Sequence, residues 1–359
     1  MRHQQTCLVQ PSDSQNSPVI SRFHFTPELK EPHDVLVRVS VVALNPTDYK
    51  MPQFHPTPHS IMGCDFMGWV VERGPAVADV RVGTRICGVV HGSNPANPGN
   101  GAFAEYLVTD SRLVLRLPDH WSDLEGAALG GTGWITMGLS ITDLLGLAGL
   151  PSKPASLRKD GSREPVLVYG GATASGTMAC QLLSIAGYDP IATVSNASAD
   201  MVKSYGAVKT FPYSSSTCGD AIKKETKGTM RHAIDCITTP ESVQCCLKAL
   251  GRAGGRCVTL EYADDELKTR KAVKFDMIMA YIAFGKGVEL PAPYHREPDM
   301  DKLYSASRWR DDVQQLVDQR RIRCHPIQEV SGGWEGIIKG LEMIKDGQVR
   351  GKKLVVRVG

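Results

Sequence analysis

Val166-Leu-Val-Tyr-Gly-Gly-Ala-Thr-Ala-Ser-Gly-Thr-Met-Ala-Cys-Gln-Leu-Leu183 decides the fold of this 359-residue chain. Val166 to Tyr169 is an apolar run too short for a buried helix and bounded by Pro165 and Gly170, which reads as a buried parallel strand. Gly170 and Gly171 let the backbone turn sharply. Met178, Leu182, Leu183 and Ile185 then recur at helical spacing, which puts Thr173, Ala174, Ser175 and Gly176 at a helix N-terminus. Free N–H groups and the positive end of the helix dipole favour a pyrophosphate there. The glycine spacing departs from G-x-G-x-x-G, so the turn alone leaves a purely structural strand-turn-helix open.

The segment Pro190-Ile-Ala-Thr-Val-Ser195 reads as the next strand of a βαβ unit. Its end lies about twenty residues past the turn, where an NAD-binding chain presents Asp or Glu to the ribose 2′-hydroxyl. Ser195, Asn196, Ala197 and Ser198 offer no carboxylate. Nothing there repels a 2′-phosphate, and the hydroxyls and amide can donate to one, so NADP(H) is expected over NAD(H). The same hydroxyls could instead cap a helix starting near Asp200.

With 41 basic and 38 acidic residues the net charge is +3, and no long like-charge block points to nucleic acid. The basic clusters Arg320, Arg321, Arg323 and Arg350, Lys352, Lys353 read as solvated faces. Ten cysteines occur without an apolar leader before them, and without C-x-x-C or zinc spacing. Reduced thiols, a cytoplasmic location and no structural metal are expected. No apolar run is long enough to span a membrane.

The length suggests two domains. Up to about residue 120, short alternating segments such as Val35–Val42, Gly68–Val71 and Arg85–Val90 are separated by Gly and Pro turns and read as an antiparallel β-domain. A helical pattern of small residues follows from Asp123 to Leu147. Strand and helix signals then alternate through Arg256–Leu260, as a doubly wound parallel sheet requires. Residues 261–296 read as irregular, with Met277, Met279, Tyr281, Phe284 and Tyr294 either filling a core or lining a pocket. Helices are expected at Trp309–Val317 and Trp334–Ile344, and a last strand at Lys353–Val358 closes back onto the first domain.

Several landmarks occur in order across nearly the whole chain: Asn45-Pro-Thr-Asp-Tyr-Lys50, Gly63-Cys-Asp-Phe-Met-Gly68 with Val82-Gly-Thr-Arg85, Gly101-Ala-Phe-Ala-Glu-Tyr106 and Leu250-Gly-Arg-Ala-Gly-Gly-Arg256. Together they resemble the medium-chain dehydrogenase/reductase superfamily. That resemblance implies an α/β protein with a GroES-like β-domain completed by the C-terminus and a Rossmann doubly wound parallel sheet. The expected boundaries are 1–150, 151–285 and 286–359. The zinc-dependent branch carries His and Glu where this chain has Cys64 and Asp65, and it has a four-cysteine cluster that is lacking here, so the likeness is to the zinc-free reductases.

Tyr169-Gly-Gly-Ala-Thr-Ala, Ile191–Ser195, Ala233-Ile-Asp-Cys-Ile237, Pro291-Ala-Pro-Tyr294 and Gly351-Lys-Lys-Leu-Val-Val-Arg357 narrow this further. They look like the stand-alone enoyl reductases of fungal polyketide pathways, which act in trans on a megasynthase. The resemblance implies an NADPH-dependent reduction of a carrier-bound α,β-unsaturated thioester, with the acyl carrier domain of a polyketide synthase or synthase–peptide synthetase hybrid as partner, and a monomer. By motif, Thr47, Asp48, Tyr49 and Lys50 would orient the cofactor; Lys50 and Thr136 would be catalytic. Tyr213 would lie near the adenosine phosphate, Leu260 and Glu261 at the sheet's carboxyl edge, and Gly351 and Lys352 against the cofactor. Met137, Phe284, Gly285, Lys286, Gly287 and Val288 would meet the acyl chain. The segment Gly130-Gly-Thr-Gly-Trp134 is glycine-rich and shifted relative to the family pattern. No residue stands out as the proton donor, and solvent could serve. The zinc-free superfamily also holds quinone and free-enone reductases and non-catalytic relatives, which remain alternatives.

Overall fold

The computed structural model describes residues 3–13 and 17–358. The chain divides into two compact units: Met1–Thr132 with Tyr281–Gly359, and Gly133–Ala280. Residues 133–150, expected with the β-domain, belong to the second unit, and Tyr281 to the first.

In chain order, β1 (Gln4–Val9) and β2 (Val19–Phe25) make a small antiparallel sheet. β3 (Asp34–Ala43), helix α1 (Pro46–Phe54), β4 (Asp65–Arg73), β5 (Arg85–Val89), β6 (Tyr106–Asp110), β7 (Leu115–Arg116) and α2 (Asp123–Leu129) follow. Asn45-Pro-Thr-Asp is the start of α1: Pro46 occupies a first-turn position, where its missing N–H costs nothing, and the Asp48 carboxylate accepts from Asn45 N–H at 2.8 Å.

Helix α3 (Thr132–Leu139) starts on the last residue of the first unit's N-terminal part and continues into the second unit, which runs on through a π-helical turn at Ser140–Leu144 and alternating elements. These are β8 (Pro165–Tyr169), α4 (Ala174–Ile185), β9 (Asp189–Val194), α5 (Ala199–Ser204), β10 (Lys209–Pro212), α6 (Cys218–Glu225), β11 (His232–Asp235), α7 (Pro240–Ala249), β12 (Gly255–Thr259) and β13 (Val273–Met277). Six parallel strands lie in the order β10-β9-β8-β11-β12-β13, so the order reverses between β8 and β11. Ligands of such sheets bind outside the carboxyl ends of the strands at that reversal. Every residue of β8 is buried, as its unbroken apolar run requires. β13 corrects the expectation that residues 261–296 are irregular. Its Val-Lys-Phe-Asp-Met sequence buries only Val273 fully, because an edge strand has a neighbour on one side alone.

The first unit resumes with α8 (Met300–Asp318), β14 (Ile327–Glu329), α9 (Gly333–Lys345) and β15 (Lys353–Arg357). β15 pairs antiparallel with β3, placing Val355 opposite Ala43 and Val356 opposite Val42, and extends the sheet β14-β15-β3-β4-β5-β7. Val37, Val39 and Val42 of β3, Phe66 of β4, Ile86 of β5, Ile337 and Leu341 of α9 and Leu354 and Val356 of β15 share one buried core. Hydrophobic burial thus joins the two halves of this unit across the intervening sequence.

Candidate active site

In the second unit, Thr173 is the N-cap of α4. Its hydroxyl accepts from Gly176 N–H at 2.9 Å and donates to the Gly170 carbonyl at 2.8 Å. The N–H groups of Ala174 and Ser175 are the remaining donors at this end, on a helix whose dipole is positive there. Gly176 replaces the missing glycines of the fingerprint. A Cβ on it would stand 2.3 Å from the Gly170 carbonyl oxygen, so only glycine lets α4 close onto the turn. Gly170 itself has φ +79°.

At the end of β9, Ser195 and Ser198 hydroxyls are 3.0 Å apart in a 3₁₀ turn through Asn196 and Ala197. Neither caps α5 or that turn, so the capping alternative is not what occurs. Across the reversal, Asp235 ends β11 fully buried and accepts from Ile237 N–H, Thr238 N–H and the Ser242 hydroxyl at 3.0, 3.0 and 2.6 Å. Burial raises its pKa, against the pull of these donors. It shapes the loop at the carboxyl edge and was not marked by sequence. Leu260 and Glu261 follow β12 half-buried, and Tyr213 is exposed. The carboxylate-free end of β9 and the capped start of α4 together fit a dinucleotide's phosphates. Among the described residues no group of three or more His, Cys, Asp or Glu could hold a metal ion.

In the first unit the landmark residues converge differently. Asp65, at the start of β4, is 1% exposed. Its Oδ1 accepts from Gly131 and Thr132 N–H at 3.0 and 2.9 Å; its Oδ2 accepts from Asn45 Nδ2 at 2.9 Å and pairs with Lys353 Nζ at 3.1 Å. Lys353 also donates to Asn45 Oδ1. A Cβ on Gly130 would meet the Asp65 carboxyl at 2.5 Å and one on Gly131 would meet Val89 at 2.7 Å, which accounts for the two glycines after Leu129. Lys353 is therefore a buried structural cation, correcting its reading as part of a solvated basic face. Lys352 beside it is exposed, as are Arg320, Arg321 and Arg323.

Thr47 and Lys50 stand half-buried on α1. Asp48, expected to face the cofactor, corrects that expectation for its side chain: it is 2% exposed and turned back to its own helix start, as the third residue of a helix does when it caps. Burial pushes its pKa up to about 7, with the Asn45 N–H, the adjoining Cys64 thiol and Lys353 pulling the other way. The Tyr281 hydroxyl shares hydrogen bonds with Thr47 Oγ1 at 3.0 Å and Cys64 Sγ at 3.3 Å. His91 stacks on the Tyr281 ring with centroids 3.7 Å apart and planes at 11°. Met137 and Val288 are wholly buried, whereas Phe284 is half-buried and Lys286 exposed, 3.8 Å from Glu31. Thr136 is buried, and its carbonyl accepts from the Ser140 hydroxyl at 2.6 Å. Gly285 and Gly287 have positive φ, as does Gly351.

The family model of the alcohol dehydrogenase GroES-like domain matches residues 31–119, and that of the zinc-binding dehydrogenases matches residues 174–284. A trans-enoyl reductase of Penicillium decumbens, calK, is 43% identical over 99% of this chain and 98% of its own length. The chain belongs to the trans-enoyl reductases. A second member, sthE of Phaeosphaeria nodorum, is 43% identical over 99% and 97% of the two chains. The reductase also shares its fold with a solved protein of Rhizobium etli described as a putative zinc-dependent alcohol dehydrogenase, at TM-score 0.76 and 24% identity over 99% of both chains. The residues that this reductase presents around Asp65 form a buried ion pair with hydrogen-bonded backbone. Sequence reasoning quoted Asp65, Cys64 and Lys353 inside motifs but missed what they do. Their signal was a charge at the first position of a strand directly followed by apolar residues: Asp65 before Phe66 and Met67, Lys353 before Leu354, Val355 and Val356.

Proposed function

We propose that this chain is an NADPH-dependent enoyl reductase that acts in trans on a carrier-bound polyketide enoyl thioester. The observation that carries the reading is end-to-end similarity to proteins named trans-enoyl reductases. When bound, NADPH supplies the hydride that Cβ of the unsaturated thioester accepts. The start of α4, with Thr173, Ala174, Ser175 and Gly176, is the seat for its pyrophosphate, and Ser195, Asn196 and Ser198 are the donors to a 2′-phosphate. Tyr213, Leu260, Glu261, Gly351 and Lys352 complete the cofactor contacts expected from the resemblance, and Thr47, Tyr49 and Lys50 orient the nicotinamide end. The resemblance assigns Lys50 in the first unit and Thr136 in the second to the charge that develops on the thioester oxygen, and Phe284, Gly285, Lys286, Gly287 and Val288 of the first unit and Met137 of the second to the acyl chain. The exposed Arg320, Arg321 and Arg323 form a face suited to an acidic carrier domain.

The test is cofactor consumption with an α-methyl enoyl thioester of pantetheine, run with NADPH, with NADH and beside a simple quinone. Thioester-dependent oxidation that prefers NADPH is the expected result. Oxidation with quinone alone would replace this reading with a quinone reductase. Carrier docking is tested by charge reversal at the three arginines, which should slow carrier-bound turnover while sparing the pantetheine surrogate.

A further inference from the structure

The hydrogen bonds around Tyr281 form a chain that the reduction, as read above, needs and that the motifs do not supply. Thr47 Oγ1, the Tyr281 hydroxyl and Cys64 Sγ follow one another at 3.0 and 3.3 Å. Next to Cys64 lies the Asp48 carboxyl, whose Oδ1 is buried with no hydrogen-bond partner among the described residues and whose ionisation the Cys64 thiol favours. Thr47 is half-buried, whereas Tyr281, Cys64 and Asp48 are 7%, 2% and 2% exposed, so the chain has one accessible end and one sealed end. Each shared bond allows either partner to donate, so all three groups can reverse sense together, as proton transfer along a chain requires. The stacked His91 fixes the tyrosine ring, and its Nε2, in a side chain 8% exposed, is a second buried atom with no hydrogen-bond partner among the described residues.

We propose that Asp48, Cys64, Tyr281 and Thr47 are the proton path of this enzyme, ending at the Thr47 hydroxyl, which protonates Cα of the reduced thioester. Once Cβ has accepted hydride, the double-bond electrons reside on the thioester enolate and the nicotinamide is oxidised. The enolate forms a Cα–H bond with the Thr47 proton. Thr47 takes the Tyr281 proton, Tyr281 takes the Cys64 proton, and Cys64 takes the Asp48 proton, leaving Asp48 as the carboxylate. Solvent protons entering at Thr47 and passing back along the chain restore it between turnovers. Burial keeps the Cys64 thiol and the Tyr281 hydroxyl protonated and brings the Asp48 pKa to about 7, so that Asp48 can both hold and release a proton near neutrality. The charged groups facing Asp48 are Lys353, which favours its carboxylate, and Asp65, which disfavours it.

This inference rests on the enoyl reductase reading, and the experiment separates the two. Wild type, Tyr281→Phe and Thr47→Val are compared in D2O with the α-methyl enoyl pantetheine thioester, after NADPH fluorescence titration has established that each variant binds cofactor. Wild type should place deuterium on one face of Cα. Both variants should lose about 100-fold in kcat, with KM changed less than about twofold, and should deuterate both faces. Independently of turnover, infrared spectra of the cofactor-free protein across neutral pH should contain a protonated-carboxyl band that Asp48→Asn removes and Cys64→Ala shifts. Variants that keep wild-type kcat and one-face deuteration overturn the path while the reduction stands. A wild-type protein that reduces no enoyl thioester overturns the reading of the activity and the path with it.

Discussion

Asp65 accepts two consecutive backbone N–H groups, Gly131 and Thr132, while pairing with the buried Lys353, so one carboxylate ties β4, the start of α3 and β15 together. Removing one partner of a buried pair leaves an uncompensated charge. Asp65→Ala should cost about 3–5 kcal/mol in urea unfolding, since Lys353 and both N–H groups lose their acceptor. Asp65→Asn keeps one acceptor oxygen for the Gly131 and Thr132 N–H groups but turns an amide donor toward Asn45 Nδ2 and Lys353 Nζ, and should fall between wild type and Asp65→Ala.

Acid sensitivity should come from histidines that the fold keeps neutral. Burial, reinforced by Lys353 and Lys352, lowers the His325 pKa from 6.5 to about 4, and burial lowers that of His91 to about 3. The unfolded chain takes up these protons below pH 6.5 and the folded chain does not, so stability falls as pH drops through that window. His325→Gln should remove about 3 kcal/mol of the change between pH 7 and pH 4. Chemical denaturation at both pH values, wild type against variant, measures it.

Asp48 acts with the opposite slope. Its pKa rises from 3.8 to about 7, so between those values the folded protein holds a proton that the unfolded chain has released. Its contribution to stability is greatest in acid and fades as pH rises to about 7. Asp48→Asn should flatten this part of the profile and leave the histidine-dependent acid loss in place, which the same denaturation series records.

The turn before α4 offers a prediction about cofactor affinity. A methyl group on Gly176 would meet the Gly170 carbonyl oxygen at 2.3 Å, forcing the helix start away from the turn. Gly176→Ala should weaken NADPH binding by at least about tenfold in a fluorescence titration. Thr173→Ala, which removes only the cap, should cost about 1 kcal/mol of stability and a smaller share of affinity.

The proposed NADPH preference rests on the end of β9. Ser195→Asp would put a carboxylate where a 2′-phosphate is proposed to sit. The ratio of kcat/KM for NADPH over NADH should drop by at least about tenfold. An unchanged ratio would move phosphate recognition elsewhere.

The parts of this architecture that could be read in the sequence are those where burial is complete or periodic. β8 and the turn into α4 were readable because all five strand residues are apolar and buried. The last strand was readable from its buried run Leu354-Val355-Val356, and α9 from an amphipathic period that buries Ile337 and Leu341. β13 was not, because an edge strand with one neighbour tolerates Lys274 and Asp276. α8 begins nine residues before the expected Trp309 because its first turns leave Met300 and Tyr304 exposed and break the apolar period. At the candidate site, residues next to one another in the sequence were assigned together, yet the first turn of α1 holds Thr47 half-buried and turns Asp48 inward. Tyr281 was visible only as one aromatic in an irregular stretch, since its partners Thr47 and Cys64 lie 234 and 217 residues away.

The pairing of β15 with β3 also governs the order in which the protein can be made. Residues 133–280 are contiguous, so a ribosome has released all of that unit's sequence well before β15. The β-domain must instead keep the edge of β3 and its apolar face waiting until the last strand emerges. Premature termination after residue 345 would leave the parallel sheet intact in sequence and the β-domain with an uncovered edge, a nascent chain suited to chaperone capture rather than to catalysis.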